Sequence, residues 1–203
     1  MAMTRPWDAR LANALVQPFR EGPLTPNHFT TLRLATGLSG ALLLAGGRFN
    51  TGAWLIVLSN FLDHADGELA RISGKSTRFG HYYDLASDAV ITIALFISLG
   101  AGMSRAGGGM TMISMGVVAG VAVAVIFQLR HALEQAGGKA AVQQPRVAGL
   151  EAEDILYLLP LVTHFSVIRE FLIAAAVGAP VVAGIVGCQY TAARRRNKPC
   201  EPS

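Results

Sequence analysis

Residues 63–88 read DHADGELARISGKSTRFGHYYDLASD, and the four aspartates Asp63, Asp66, Asp84 and Asp88 decide how the chain is read. Apolar sequence flanks them on both sides, TGAWLIVLSNFL at 51–62 and AVITIALFISLG at 89–100. Both flanks read as membrane helices, so the aspartates fall inside spans. An ionised carboxylate there costs about 2.5–3.5 kcal/mol. Four of them demand an offset, and the spacing supplies one. Asp63 and Asp66 are i,i+3 and share one helix face; Asp84 and Asp88 are i,i+4 and share another. A turn over 73–79 makes the two helices antiparallel. At a rise of about 1.5 Å per residue, Asp63 lies about 12 Å back from Arg71 and Asp88 about 12 Å in from Gly80. Asp66 and Asp84 come out at roughly 7 and 6 Å, so the acids match in depth. Matched carboxylates repel unless some are protonated or cations sit between them. An all-oxygen donor set favours Mg²⁺ or Mn²⁺, with Ca²⁺ as an alternative bound ion. Four carboxylates suit two divalent ions, an arrangement fitted to phosphoryl chemistry.

Composition agrees with a membrane setting. Of 203 residues, 52% are hydrophobic and only 15% charged, against about 25% charged in a soluble domain. Disorder is excluded by the apolar content. A disulfide scaffold is excluded because Cys188 lies in an apolar run and Cys200 in the tail. The net charge of +4 would suggest nucleic acid, but the basic residues sit between apolar blocks and so bear on orientation instead.

Six apolar helices are expected, over 27–46, 51–72, 80–99, 110–129, 151–163 and 167–193, with a polar loop at 132–150. The fold class is therefore all-α, a polytopic membrane protein. Before the first span, Trp7, Leu11, Leu15 and Phe19 recur every four residues, which predicts an amphipathic helix lying in the interface. This segment does not read as a signal peptide, since Asp8 and Glu21 precede the first apolar run. The expected organisation is a cytoplasmic segment 1–26, a six-helix body 27–193 and a basic tail 194–203. Fourteen of the 17 Lys and Arg residues, Arg33 included, fall on one side of these spans. That bias places both termini, and the acids near them, in the cytoplasm.

Glycines complete the acidic stretch. Gly67 follows Asp66 and Ala70 stands one turn on, leaving the helix surface bare beside the acids; Gly80 gives clearance from the opposite helix. A phosphorylated ligand could approach the backbone there, with Arg71 available to pair with a phosphate or base.

At these residues the chain resembles the CDP-alcohol phosphotransferase family, whose pattern is D-x-x-D-G-x-x-A-R followed by G-x-x-x-D-x-x-x-D. All eight fixed positions match: Asp63, Asp66, Gly67, Ala70, Arg71, Gly80, Asp84 and Asp88. The resemblance implies an integral membrane enzyme of phospholipid biosynthesis. It transfers a substituted phosphate, phosphatidyl from CDP-diacylglycerol, to an alcohol acceptor and releases CMP. Asp63, Asp66 and Asp84 would be metal ligands. Asp88 would be the general base and would also touch the second ion. Asp66, Gly67, Ala70, Arg71 and Gly80 would surround the cytidine diphosphate. A homodimer in a bacterial inner membrane, in contact with membrane lipids and not with nucleic acid, is implied as well.

The acceptor is less legible. The third-helix motif L-D-P-x-A-D-K of the family's phosphatidylglycerophosphate synthases is absent, Ala89 replaces the arginine of relatives using inositol phosphate, and the histidine–glycine pair of choline and ethanolamine phosphotransferases is missing. A polar alcohol, unphosphorylated or unusual, is the reading left. Transfer of a CDP-linked headgroup to a lipid is the alternative. A cation- or proton-coupled transporter is the rival from another class, but no internal repeat is found and all four acids lie towards one face. Gly116-x-x-x-Gly120 is read either as close packing within one subunit or as a dimer seam. His131 is assigned to the interface, and Glu151, Glu153 and Asp154 to a helix start.

Overall fold

The computed structural model describes residues 7–75, 77–137 and 156–196. They form α1 (Trp7–Val16), α2 (Pro26–Ala45), α3 (Phe49–Ser73), α4 (Arg78–Met103), α5 (Met110–Gly137), α6 (Leu159–His164) and α7 (Ile168–Arg196), with no strand among them.

Helix boundaries follow local chemistry. Pro26 opens α2 at a position where its missing N–H costs nothing, and the Thr25 N–H donates to His28 Nδ1 at 3.1 Å. α3 stops at Gly74, whose φ of +66° is left-handed and suits a residue without Cβ. α4 starts four residues later, at Arg78, behind the N-cap Thr77, whose hydroxyl accepts the Gly80 N–H at 2.9 Å. The connection is thus 74–77, shorter than expected, because both helices run on. α5 likewise continues to Gly137, converting the start of the expected polar loop into helix.

A helix stands at or within each of the six expected places. Three segments, Arg78–Gly108, Met110–Leu133 and Ile168–Arg194, are long and apolar enough to cross a membrane. α3 is long enough but carries Asp63, Asp66, Glu68 and Arg71 near one end. α6 has six residues, about 9 Å of helix against a hydrocarbon core of about 30 Å. The expected start of that helix, with Glu151, Glu153 and Asp154, lies outside the described residues.

The order of packing corrects the simplest picture of the acidic hairpin. α3 and α4 barely touch; α2 packs extensively against both. α4 continues onto α5 and α5 onto α7, while α1 and α6 lean on α3. Leu44, Ile56, Leu95, Leu99, Leu159 and Leu172 form the main core. On α5, a Cβ at Gly116 would overlap the Phe96 carbonyl and one at Gly120 would come within 3.1 Å of Ile93 Cα. The G-x-x-x-G pair therefore serves α4–α5 packing inside the subunit. α1 is a helix, but Ala12 and Val16 are what it buries, against Ala65 and Leu69 of α3; Leu11 and Leu15 stay exposed. In the apolar part of α7 only 11% of residues are buried, against 50% in α4.

Candidate metal and phosphate site

The acidic residues converge as their spacing requires. Asp63 and Asp66 project from the last three turns of α3, and Asp84 and Asp88 from the first three turns of α4. One carboxylate oxygen from each of Asp63, Asp66 and Asp84 lies within 4.8 Å of the others. Three hard oxygen donors at that separation fit a divalent cation such as Mg²⁺ or Mn²⁺. Asp88 stands outside this trio.

What joins the acids is a residue from a third helix. Arg33 of α2 is 3% exposed. Its Nη1 lies 2.6 Å from Asp63 Oδ1 and 2.8 Å from Asp84 Oδ1, and its Nη2 pairs with Asp88 Oδ1. One guanidinium thus ties both acidic helices to α2. Arg33 accordingly leaves the count of topogenic flanking charges: it lies about 10 Å inside α2 from Pro26. Its position in Leu32-Arg33-Leu34, a lone charge in an apolar run, was the available signal, because an intramembrane charge marks function by default. Neighbouring α2 side chains support the same cluster. The Thr30 hydroxyl donates to Asp66 Oδ2 at 2.9 Å, both residues being buried. The Ser59 hydroxyl holds the Arg33 carbonyl at 2.9 Å.

Two cavities flank the cluster. One, of about 150 Å³, is lined by Asp66, Gly67, Ala70, Gly80 and Asp84, together with Asn27, Lys75 and Thr77. A Cβ on Gly67 would meet nothing within 4 Å, so this wall is open, whereas one on Gly80 would press on Asn27 Oδ1 at 2.6 Å. The other, of about 130 Å³, is lined by Asp63 and Asp88 with Arg33, Asn60, Gln128, Arg130 and His131. Two buried donors beside it, Arg33 Nε and Asn60 Nδ2, have no hydrogen-bond partner among the described residues. Leaving such a donor unsatisfied costs about 1–3 kcal/mol. His131, assigned from sequence to the interface, is part of this wall; Gln135 links it to His81 of the first cavity, at 2.9 and 3.1 Å.

Seven of the eight motif residues therefore border the cluster or its cavities. Arg71 does not. It is half exposed and pairs with Glu68, whose carboxylate also accepts from Asn13 Nδ2 of α1 at 3.1 Å. A basic residue expected to be available to a phosphate or base is here held by an acid one turn back. Asn60, Gln128 and Arg130 were not singled out from sequence, since a cavity wall drawn from two helices distant in the chain has no local signature.

Known proteins resemble this chain in sequence and in fold. The sequence profile described as CDP-alcohol phosphatidyltransferase matches residues 23–182. A bifunctional IPC transferase and DIPP synthase of Rubrobacter xylanophilus is 36% identical over 90 residues, 42% of this chain and 21% of that protein. A CDP-diacylglycerol–serine O-phosphatidyltransferase of Helicobacter pylori is 33% identical over 67 residues, 33% of this chain and 28% of that one. A phosphatidylinositol phosphate synthase of Mycobacterium marinum is 34% identical over 89 residues, 43% and 38% of the two chains. The matched stretch thus spans well under half the length of each of these relatives. Over the whole fold, the chain resembles a Mycobacterium tuberculosis phosphatidylinositol phosphate synthase solved with CDP-DAG bound, with TM-score 0.62, 21% identity and 92% of each chain covered. The same enzyme solved with manganese and citrate gives 0.58 at 21% identity, over 97% and 93% of the two chains. With the profile covering most of its length and its motif residues gathered about one acidic cluster, the chain belongs to the CDP-alcohol phosphatidyltransferase family.

Proposed function

We propose that the protein transfers a phosphatidyl group from CDP-diacylglycerol to the hydroxyl of a polar alcohol, releasing CMP. The observation carrying this reading is the acidic cluster with a cavity on either side. A transfer between two substrates needs both held against one reacting centre.

The open cavity beside Gly67 and Gly80 suits the CDP-linked donor. Its wall lacks side-chain bulk, and Lys75 and Thr77 offer a cation and a hydroxyl to the diphosphate. Asp63, Asp66 and Asp84 would hold the divalent cation, one or two Mg²⁺ or Mn²⁺ ions with Asp88 touching the second. Bound there, the metal supplies neutralisation of the diphosphate and of the departing CMP. The Asp88 cavity suits the acceptor. Asp88 accepts the proton of the acceptor hydroxyl; the oxygen so released bonds to the phosphatidyl phosphorus, and the bond from that phosphorus to CMP breaks. The unpartnered donors at Arg33 and Asn60 favour an acceptor with several oxygens.

The membrane frame follows the same lines. We read six spans, five of them α2, α3, α4, α5 and α7, and the sixth the helix expected over 151–163, of which α6 falls within the described residues. α1 lies in the interface through Leu11 and Leu15, with Phe19 just beyond it, and both termini are cytoplasmic in a bacterial inner membrane. The functional body is 27–193, between a segment 1–26 and a basic tail 194–203. The exposed Val177, Val181 and Ile185 of α7 support a lipid-facing helix and are compatible with a homodimer.

The test is CMP release by purified protein supplied with CDP-diacylglycerol and Mg²⁺ or Mn²⁺. Glycerol 3-phosphate, inositol, inositol phosphate and serine are compared as acceptors by lipid product. Release that depends on one acceptor supports the reading; no release with any of them, in folded protein, rejects it.

A further inference from the structure

We infer that Arg33 is a positioning residue of the transfer reaction, setting Asp88 against the metal-facing aspartates. The inference rests on the proposed reaction. Arg33 comes from α2, outside the motif, and its guanidinium is almost fully buried. Its Nη1 is shared between Asp63 and Asp84, at 2.6 and 2.8 Å, while Nη2 is given to Asp88. The fork has fixed geometry, so the place of Asp88 relative to the other two is set by a rigid plane. α3 and α4 cannot set it themselves because they scarcely touch.

The assignment of nitrogens matters. The trio that fits a cation is Asp63, Asp66 and Asp84; Asp88 is the acid that Nη2 draws to the other side. Arg33 therefore divides four like-charged carboxylates into a cation-binding set and Asp88, which lines the second cavity together with Asp63 and Arg33. It adds one positive charge among four negative ones, and so relieves their repulsion without occupying every oxygen. The Ser59 hydroxyl on its backbone carbonyl and the close approach of Ser59 and Ile91 to Gly37, one turn along α2, fix the register of the helix that presents it.

A role limited to holding helices together would predict loss of every property at once. Positioning through Asp88 predicts a split. In Arg33→Met, CMP release from CDP-diacylglycerol with whichever of the four compared acceptors supports turnover is expected to fall at least 100-fold in kcat, with KM for CDP-diacylglycerol within threefold. Mn²⁺ binding, measured without substrate, is expected to stay within threefold or to tighten, since a cation has left the carboxylates. Arg33→Lys restores charge but not the fork, and is expected to recover about a tenth of wild-type kcat. Combining Arg33→Met with Asp88→Asn is expected to lose no more than Asp88→Asn alone. Loss of Mn²⁺ binding in parallel with turnover, near-normal turnover, or multiplying losses in the double variant would each overturn the inference. If Arg33→Met is not recovered folded, Arg33→Lys and its Asp88→Asn double carry the same comparison. Wild-type protein silent with every acceptor rejects the proposed reaction, whereas an active wild type with unsplit variants rejects Arg33 alone.

Discussion

Asp88 and the two cavity glycines give the sharpest predictions for single side chains. Asp88→Asn keeps shape and hydrogen bonding to Arg33 but removes the proton acceptor. CMP release should fall by about 10²–10⁴-fold, to a measurable residue, while CDP-diacylglycerol binding, followed by equilibrium filtration, persists; comparable turnover would remove Asp88 from that role. Gly67 lies on α3 with open space where a Cβ would point. Gly67→Ala should therefore leave the protein as stable or stabilise it by about 0.5–1 kcal/mol through helix propensity. It should nevertheless raise KM for the CDP-linked donor several-fold, because the new methyl enters the cavity. Thermal unfolding and donor titration on the same preparation separate the two effects. Gly80→Ala differs, since its methyl meets Asn27 Oδ1 and should disturb both. These glycines were legible in the motif spacing because their job is local, to leave backbone bare beside an acid. The role of Arg33 was not, since a residue 30 positions before Asp63 is related to it only by the way α2 folds back.

Helix pairing explains which expectations about elements held. The structure starts α2 at Pro26, one residue before the expected 27, whereas cap chemistry at Gly74 and Thr77 narrows the turn expected over 73–79. Which helices touch was not written so plainly. Chain neighbours joined by a tight turn were expected to face each other, yet α2 wedges between α3 and α4. The G-x-x-x-G of α5 left two partners open, and contact with Phe96 and Ile93 gives it to α4. Gly116→Val should accordingly cost about 1–3 kcal/mol through overpacking. It should lower the unfolding midpoint in detergent without changing the oligomeric mass. A change of oligomeric state at unchanged stability would return this pair to a subunit interface.

Across the molecule, the acids gather at one end of the bundle while α7 presents an almost unburied apolar surface. Removing divalent ions with EDTA should abolish CMP release, and Mn²⁺ or Mg²⁺ should restore it; full activity in chelator would separate the cluster from metal. Topology is open to labelling. Single cysteines placed at Lys75 and Arg105, in a background without Cys188 and Cys200, should react with impermeant maleimide from opposite faces of sealed vesicles. Labelling of both from one face would discard the six-span reading.

Composition, apolar block length and the spacing of four aspartates were enough for an all-helical membrane chain with a cation-binding acidic face, and the motif's resemblance to a known family implied the CDP-alcohol chemistry, because each is a short-range property. Helical periodicity alone puts Asp63 beside Asp66 and Asp84 beside Asp88. The partition of those acids into a trio and a separate Asp88, the buried arginine that divides them, and the two cavities came from packing. They depend on where α2, α5 and α6 settle around the hairpin, and a contact between distant helices leaves no periodic trace along either one.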